Sequence, residues 1–68
     1  MAGPDCSDIP HDMAMWEIVK AFEDGEGTVK LAKVTSGNCF EIYGTIDEKK
    51  YEIYYNPQTG EEMERVEG

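Results

Sequence analysis

This chain has no long apolar run, few basic residues and a single histidine, and each shortage excludes a class of function. No window of its 68 residues approaches the roughly 18 consecutive apolar positions of a membrane-spanning helix. The opening Met1–Pro10, MAGPDCSDIP, is too polar for the apolar region of a signal peptide, so an export signal is expected outside these residues. Six basic against fifteen acidic side chains leave a formal net charge of −9. A field of that sign repels phosphate backbones and anionic membrane surfaces, which argues against nucleic acid and is compatible with a cationic protein partner or a divalent cation. With His11 alone and the two cysteines in no CxxC spacing, a four-ligand zinc site would have to borrow carboxylates. The glycines are scattered over separate turns, so no phosphate-cradling loop exists. No nucleophile is tied by sequence to His11, and the adjacent carboxylates Asp47/Glu48 and Glu61/Glu62 would point to opposite faces of a strand. The expectation is therefore a protein that is not an enzyme, with no cofactor and no metal site. The stretch Glu23–Gly27, EDGEG, lacks the pattern of a calcium loop and reads as a helix stop, with Asp5, Asp8 or His11 as its only neighbours for weak divalent binding.

What is present is globular. Hydrophobic residues make up 40% of the chain and seven aromatics are spread through it, too many for a disordered tail. Residues 1–10 read as an irregular arm, since Pro4 and Pro10 both exclude a helix interior, and residues 11–68 as one domain. From His11 or Asp12 to Glu23, Met15, Ile18, Val19 and Phe22 recur at one helical face, with Asp12 as N-cap or first-turn acid and Gly25 in the left-handed position after the last turn. Trp16 lies off that stripe, suited to cover an edge or the arm; with Met13 and Met15 it is also a candidate contact patch. Beyond Gly27 the period becomes two. Thr28–Val34 places Val29 and Leu31 inward, Cys39–Thr45 places Phe40 and Ile42 inward, and Tyr51–Tyr55 places Tyr51, Ile53 and Tyr55 inward. A weaker, charged last strand follows. The fold class expected is α+β, one N-terminal amphipathic helix packed on a three- to four-stranded antiparallel meander. Tyr43 and Tyr54 then share the opposite sheet face, either as cross-strand packing or as partner-binding anchors. A monomer or a weak homodimer is compatible with such an open sheet.

Between the last two strands stands Asn56-Pro57-Gln58-Thr59-Gly60. Pro57 suits the second position of a type I turn and Gly60 takes positive φ without cost. A four-residue loop would pair Asn56 with Glu61, Tyr54 with Met63, Glu52 with Arg65 and Tyr51 with Val66. A three-residue loop would instead oppose Ile53 and Arg65, an apolar-to-charged mismatch. The first register is expected.

The two cysteines are either free, partly buried thiols or a disulfide tying the arm to a strand. Closing a loop of that length would stabilise the fold by about 3.8 kcal/mol in the chain-entropy model, and would require an oxidising compartment.

The run YEIYYNPQTGEEMERVE resembles PepSY domains, whose mark is a strand, an Asp/Asn-Pro-x-Thr-Gly corner and a final strand; Glu52, Asn56, Pro57, Thr59, Gly60 and Glu61 stand at matching places. Upstream, GNCFEIYGTIDEKKYEIYY is similar to small exported PepSY-like proteins, as are CSDIP and Trp16 near the start. Two departures stand out: Glu62 replaces the usual hydrophobic residue, and the Asp47–Lys50 hairpin lacks its typical glycine. The resemblance implies a helix on an antiparallel sheet, a periplasmic or extracellular location and a Cys6–Cys39 disulfide. It also implies a non-enzymatic protein- or peptide-binding role, with protease inhibition or modulation of a membrane protein as the candidate process. An accessory metal- or redox-linked periplasmic module is the alternative. The pattern carries no catalytic residue.

Overall fold

The computed structural model describes residues 3–68; Met1 and Ala2 of the arm lie outside the described residues. One helix, α1 (Met15–Asp24), is followed by four strands: β1 (Thr28–Val34), β2 (Phe40–Ile46), β3 (Lys49–Tyr55) and β4 (Glu62–Glu67). The strands form one antiparallel sheet in the order β1-β2-β3-β4, as a meander of short connections gives. The helix covers one face of it, the inner face. Ile18 and Phe22 from α1 meet Phe40, Ile42 and Ile53, and this cluster is the core. Met15, Val19, Val29, Ala32, Tyr51 and Tyr55 pack around it.

The helix begins later than the periodicity suggests. Asp12 is not its cap: Ala14 is, and its N–H donates to the Glu17 carboxylate at 2.7 Å, the reciprocal half of a capping box. Asp12 instead accepts from the Gln58 amide at 3.3 Å. At the other end Gly25 is not left-handed (φ −85°); Glu26 is, at φ 70°. The Gly27 N–H donates to the Phe22 carbonyl and the Glu26 N–H to that of Glu23, which is the Schellman pattern set one residue further on. Gly27 must be glycine for a separate reason, because the Phe22 ring lies where its side chain would start. The same ring fills the place of a side chain at Gly44 on β2, so two glycines shape the slot for one core aromatic. Trp16 covers neither edge nor arm and stands 66% exposed.

Two β-bulges change the faces read from sequence. In β1 the register shifts between Val29 and Leu31. Val29 and Ala32 face the helix, while Leu31, opposite Tyr43, turns to the outer face and is 50% exposed rather than buried. The corner between β3 and β4 closes as a four-residue loop, its Asn56 N–H donating to the Glu61 carbonyl at 2.8 Å. Beyond Tyr55↔Glu62 the register then slips, giving Tyr54↔Glu64, Ile53↔Arg65, Glu52↔Val66 and Tyr51↔Glu67. The expected Glu52–Arg65 and Tyr54–Met63 pairings are therefore absent. Met63 is the extra residue, and its sulfur lies 3.6 Å from that of Cys6. Arg65 tolerates its place beside Ile53 because Glu62 takes its guanidinium through two contacts of 2.8 and 2.9 Å, and the Tyr51 ring lies beneath it at 5.0 Å.

The arm crosses the outer face. Cys6 and Cys39 form a disulfide, both residues fully buried. The Cys6 N–H donates to the Gly37 carbonyl at 2.7 Å, and the Asn38 amide reaches the Cys6 carbonyl at 3.3 Å. The Asp5 carboxylate accepts the Ser7 N–H at 2.9 Å, which lowers its pKa. Gly3 lies flat against the Tyr54 ring, with no room for a side chain.

Two outcomes follow from these connections. The double replacement Cys6→Ala/Cys39→Ala should cost about 3.8 kcal/mol, read as a urea midpoint displaced strongly downward, and reductant should move the wild type the same way. In the β2–β3 turn both Asp47 (φ 51°) and Glu48 (φ 69°) are left-handed, a two-residue turn that favours Asn-Gly or Asp-Gly. Glu48→Gly should therefore stabilise the chain by about 0.5–1 kcal/mol, a thermal midpoint higher by roughly 2–8 °C; an unchanged midpoint would refute strain at that position.

Candidate functional site on the outer sheet face

Strand pairing sets the outer face out in cross-strand rows. Leu31, Tyr43, Glu52 and Val66 form one row, one residue from each strand. Lys33, Glu41, Tyr54 and Glu64 form the next. The arm and its disulfide close over the second row at Tyr54 and Cys39 and leave the first open. A shallow hollow beside the first row is lined by Lys30, Tyr43, Thr45, Lys50, Glu52 and Gly68.

Among the residues singled out from sequence, Cys6 and Cys39 come together as the bond described above. Tyr43 is half-buried in the open row. Tyr54, 8% exposed, lies beneath the arm, and its hydroxyl pKa is pushed up to about 12 by burial and by the Glu41 and Glu52 charges. Trp16 stands on the helix, across the sheet from both tyrosines. His11 donates from Nε2 to the Asn38 carbonyl at 3.0 Å and meets the Phe40 ring edge-on at 5.0 Å. Among the described residues no group of three or more His, Cys, Asp or Glu side chains is placed to hold a metal ion.

The corner turns out to be more than a turn. Asn56 Oδ1 accepts from the backbone N–H groups of Gln58 and Thr59 at 2.8 and 3.2 Å, and the Asn56 carbonyl takes the Gly60 N–H. The Thr59 hydroxyl accepts the Glu61 N–H at 3.2 Å. Pro57 is fully buried, and its carbonyl accepts the Met13 N–H at 3.0 Å. Gly60 has φ 79° and sits against the Met13 sulfur and the tip of Ile18. Asn56 and Thr59 thus shape the corner, while Pro57 and Gly60 seat the chain entering α1.

Glu41 is the site residue that sequence reading passed over. It stands in β2 as one polar position among alternating ones, yet it is 2% exposed. Its Oε1 lies 3.9 Å from the Lys33 ammonium, and its Oε2 has no hydrogen-bond partner. Burial pushes its carboxyl pKa up and the Glu52 carboxylate adds to that, while the Tyr43 hydroxyl and Lys33 pull it back. The only signal in sequence was an acid flanked by apolar residues, CFEIYG.

A carboxyl whose pKa is raised on folding holds its proton more firmly in the native state than in the unfolded one. Its contribution to stability is then greatest below the ordinary carboxyl pKa of 4.5 and is lost as pH climbs through the raised native value. Glu41→Gln should melt a few degrees above the wild type at pH 7, with the gap narrowing toward pH 4 in paired thermal scans. A gap independent of pH would exclude ionisation of Glu41 as its cause.

Among the described residues no helix is long and apolar enough to cross a membrane. Comparison with curated proteins finds no match, and comparison with solved structures finds none either. The profile of the peptidase propeptide and YPEB domain family matches residues 1–65, nearly the whole chain, including both cysteines, both outer-face rows up to Arg65 and the Asn56–Gly60 corner. The chain belongs to the peptidase propeptide and YPEB domain family, a PepSY-like domain.

Proposed function

We propose that this domain is a non-catalytic, exported interaction module that binds a protein or peptide through its outer sheet face. The observation that carries the reading is the open cross-strand row. It holds two exposed aliphatic side chains, Leu31 and Val66 (50% and 43% exposed), on either side of a half-buried tyrosine and a carboxylate. Two aliphatics at the ends of a row that also holds a tyrosine give this face apolar surface for a partner to cover. The family description, which pairs the domain with peptidase propeptides, favours a protease as the partner. A buried disulfide fits the oxidising conditions of the periplasm or cell exterior. The edge strand β4 is the less suited surface, since its three glutamates discourage pairing with another strand.

The redox-linked alternative draws less support. Both cystine residues are fully buried, so a reductant reaches the bond only after the arm lifts.

Immobilised wild-type domain should retain a specific protein from a periplasmic or secreted extract at micromolar concentration. The exposed-site variants Leu31→Glu and Val66→Glu, folded as the wild type by circular dichroism, should retain it at least about tenfold less well. Recovery of nothing by the wild type, or equal recovery by both variants, would overturn the reading.

A further inference from the structure

Charge is spread unevenly over this acidic chain. Of its six basic side chains, Lys20 pairs with Asp24 on the helix, Arg65 pairs with Glu62 on β4, and Lys33 lies 3.9 Å from Glu41. Lys30, Lys49 and Lys50 take part in no ion pair among the described residues, although the chain carries fifteen acids. Two of these three, Lys30 from β1 and Lys50 from β3, line the hollow beside the open row.

The sequence brings them there by two routes. Lys30 is the extra residue of the β1 bulge, between Val29 and Leu31, so it escapes the alternation that would turn it from Leu31's face. Lys50 stands two residues before Glu52 on β3, on the same face and opposite Thr45. The floor between the two lysines is low because Thr45 and Gly68 are small. Lysine on an edge strand commonly discourages pairing, and that would account for Lys30. It does not account for Lys50, because β3 is an inner strand. Glu52 also borders the hollow, yet it pairs with neither lysine and interacts instead with Glu41 and Tyr43.

We propose that the outer face docks an extended partner segment carrying one acidic side chain, whose carboxylate enters the hollow between Lys30 and Lys50 while its aliphatic neighbours rest on Leu31 and Val66. The hollow, of about 180 Å³, has room for one such side chain. Each ammonium brings three donors and Thr45 adds a hydroxyl. The net charge of −9 opposes an anion at long range. Salt confines that field to about 8 Å, so the two ammonium groups decide the balance at contact. A free anion would satisfy the lysines and leave Leu31 and Val66 uncovered, which is why the acid belongs to an apolar segment. A second acid in the segment would meet Glu52 or Glu64 on the same face and be repelled. This inference rests on the interaction-module reading and supplies the chemistry of the partner.

The test is a titration of isotope-labelled domain, followed by amide NMR, with the capped tripeptide Val-Glu-Val, with its glutamine counterpart, which keeps the shape and loses the charge, and with inorganic phosphate. The glutamate peptide should give saturable shifts centred on Lys30, Leu31, Tyr43, Thr45 and Lys50, the glutamine peptide none, and phosphate binding weaker by about tenfold or more. Lys30→Gln and Lys50→Gln should each weaken peptide binding about threefold and the double replacement about tenfold, the scale of exposed ion pairs. Both lysines are exposed and unpaired, so these variants should melt with the wild type. Lys20→Gln, which removes the same charge from the helix, should leave affinity unchanged. Absence of saturable shifts into the millimolar range, an equal response to the glutamine peptide or to phosphate, unchanged affinity in the double variant, or an equal loss in Lys20→Gln would overturn the proposal. A protein partner retained equally by wild type and double variant would overturn the basic hollow alone, whereas failure of the wild type to retain any partner would overturn the module reading beneath it.

Discussion

A ten-residue helix can cover only one face of a four-stranded sheet, and the described residues form no second helix to lay on the other. The Cys6–Cys39 bond resolves that shortage. It holds a few extended residues against the outer face where Tyr54 and Cys39 would otherwise meet water. The arm's hydrogen bonds to Gly37 and Asn38 are too few to repay the entropy of ordering it. Restricting the unfolded chain is the term that tips the balance in a domain this small. Coverage by a tethered segment is also partial by nature, because the tether reaches one row and no further. The open row Leu31–Tyr43–Glu52–Val66 is a direct consequence of where that arm ends its crossing.

The helix depends on a second, quieter constraint. It enters without a side-chain cap of the Ser or Asp kind, so its approach has to be fixed from elsewhere. The Pro57 carbonyl holds the Met13 N–H, and Gly60 leaves space for the Met13 and Ile18 side chains. A turn at the far end of the sequence thereby positions the first turn of the helix. That explains why proline, threonine and glycine are all required there: proline to bury without a donor, threonine to hold the backbone after the turn, glycine for both its φ and its bareness.

The class of fold was legible because period and turn chemistry agree over most of the chain. Ile18, Phe22, Phe40, Ile42 and Ile53 all face the core as their spacing indicates. The misreadings share one cause. A β-bulge adds a residue without leaving any composition signal, and every side chain beyond it changes face or partner. Alternation alone puts Leu31 in the core for that reason, and it separates Arg65 from Ile53 on a mismatch that Glu62 and Tyr51 remove. The helix ends were displaced by similar local choices, Glu17 reaching back to Ala14 and Glu26 adopting the conformation left to glycine. The outer face was legible only in part, since alternation placed Tyr43 there but could not show that Glu41 loses its water.

Glu41 ties these threads together. It sits next to Cys39 and Phe40, where the arm and the core both press in, so its burial follows from the two contacts that stabilise the domain most. A neutral residue of similar shape would serve the fold better, and Lys33 compensates from a distance too long for a good ion pair. Foldability alone favours no such arrangement, because minimally frustrated sequences avoid half-satisfied polar groups in covered places. Local conflict of this kind is the mark of a position shaped by something other than stability. The Glu62–Arg65 pair shows the contrast within the same molecule: it is equally charged, bidentate and completed by an aromatic ring, and it asks for nothing further. Glu41 has no such closure: Lys33 at 3.9 Å is its one ion-pair contact among the described residues, and burial holds its carboxyl pKa up.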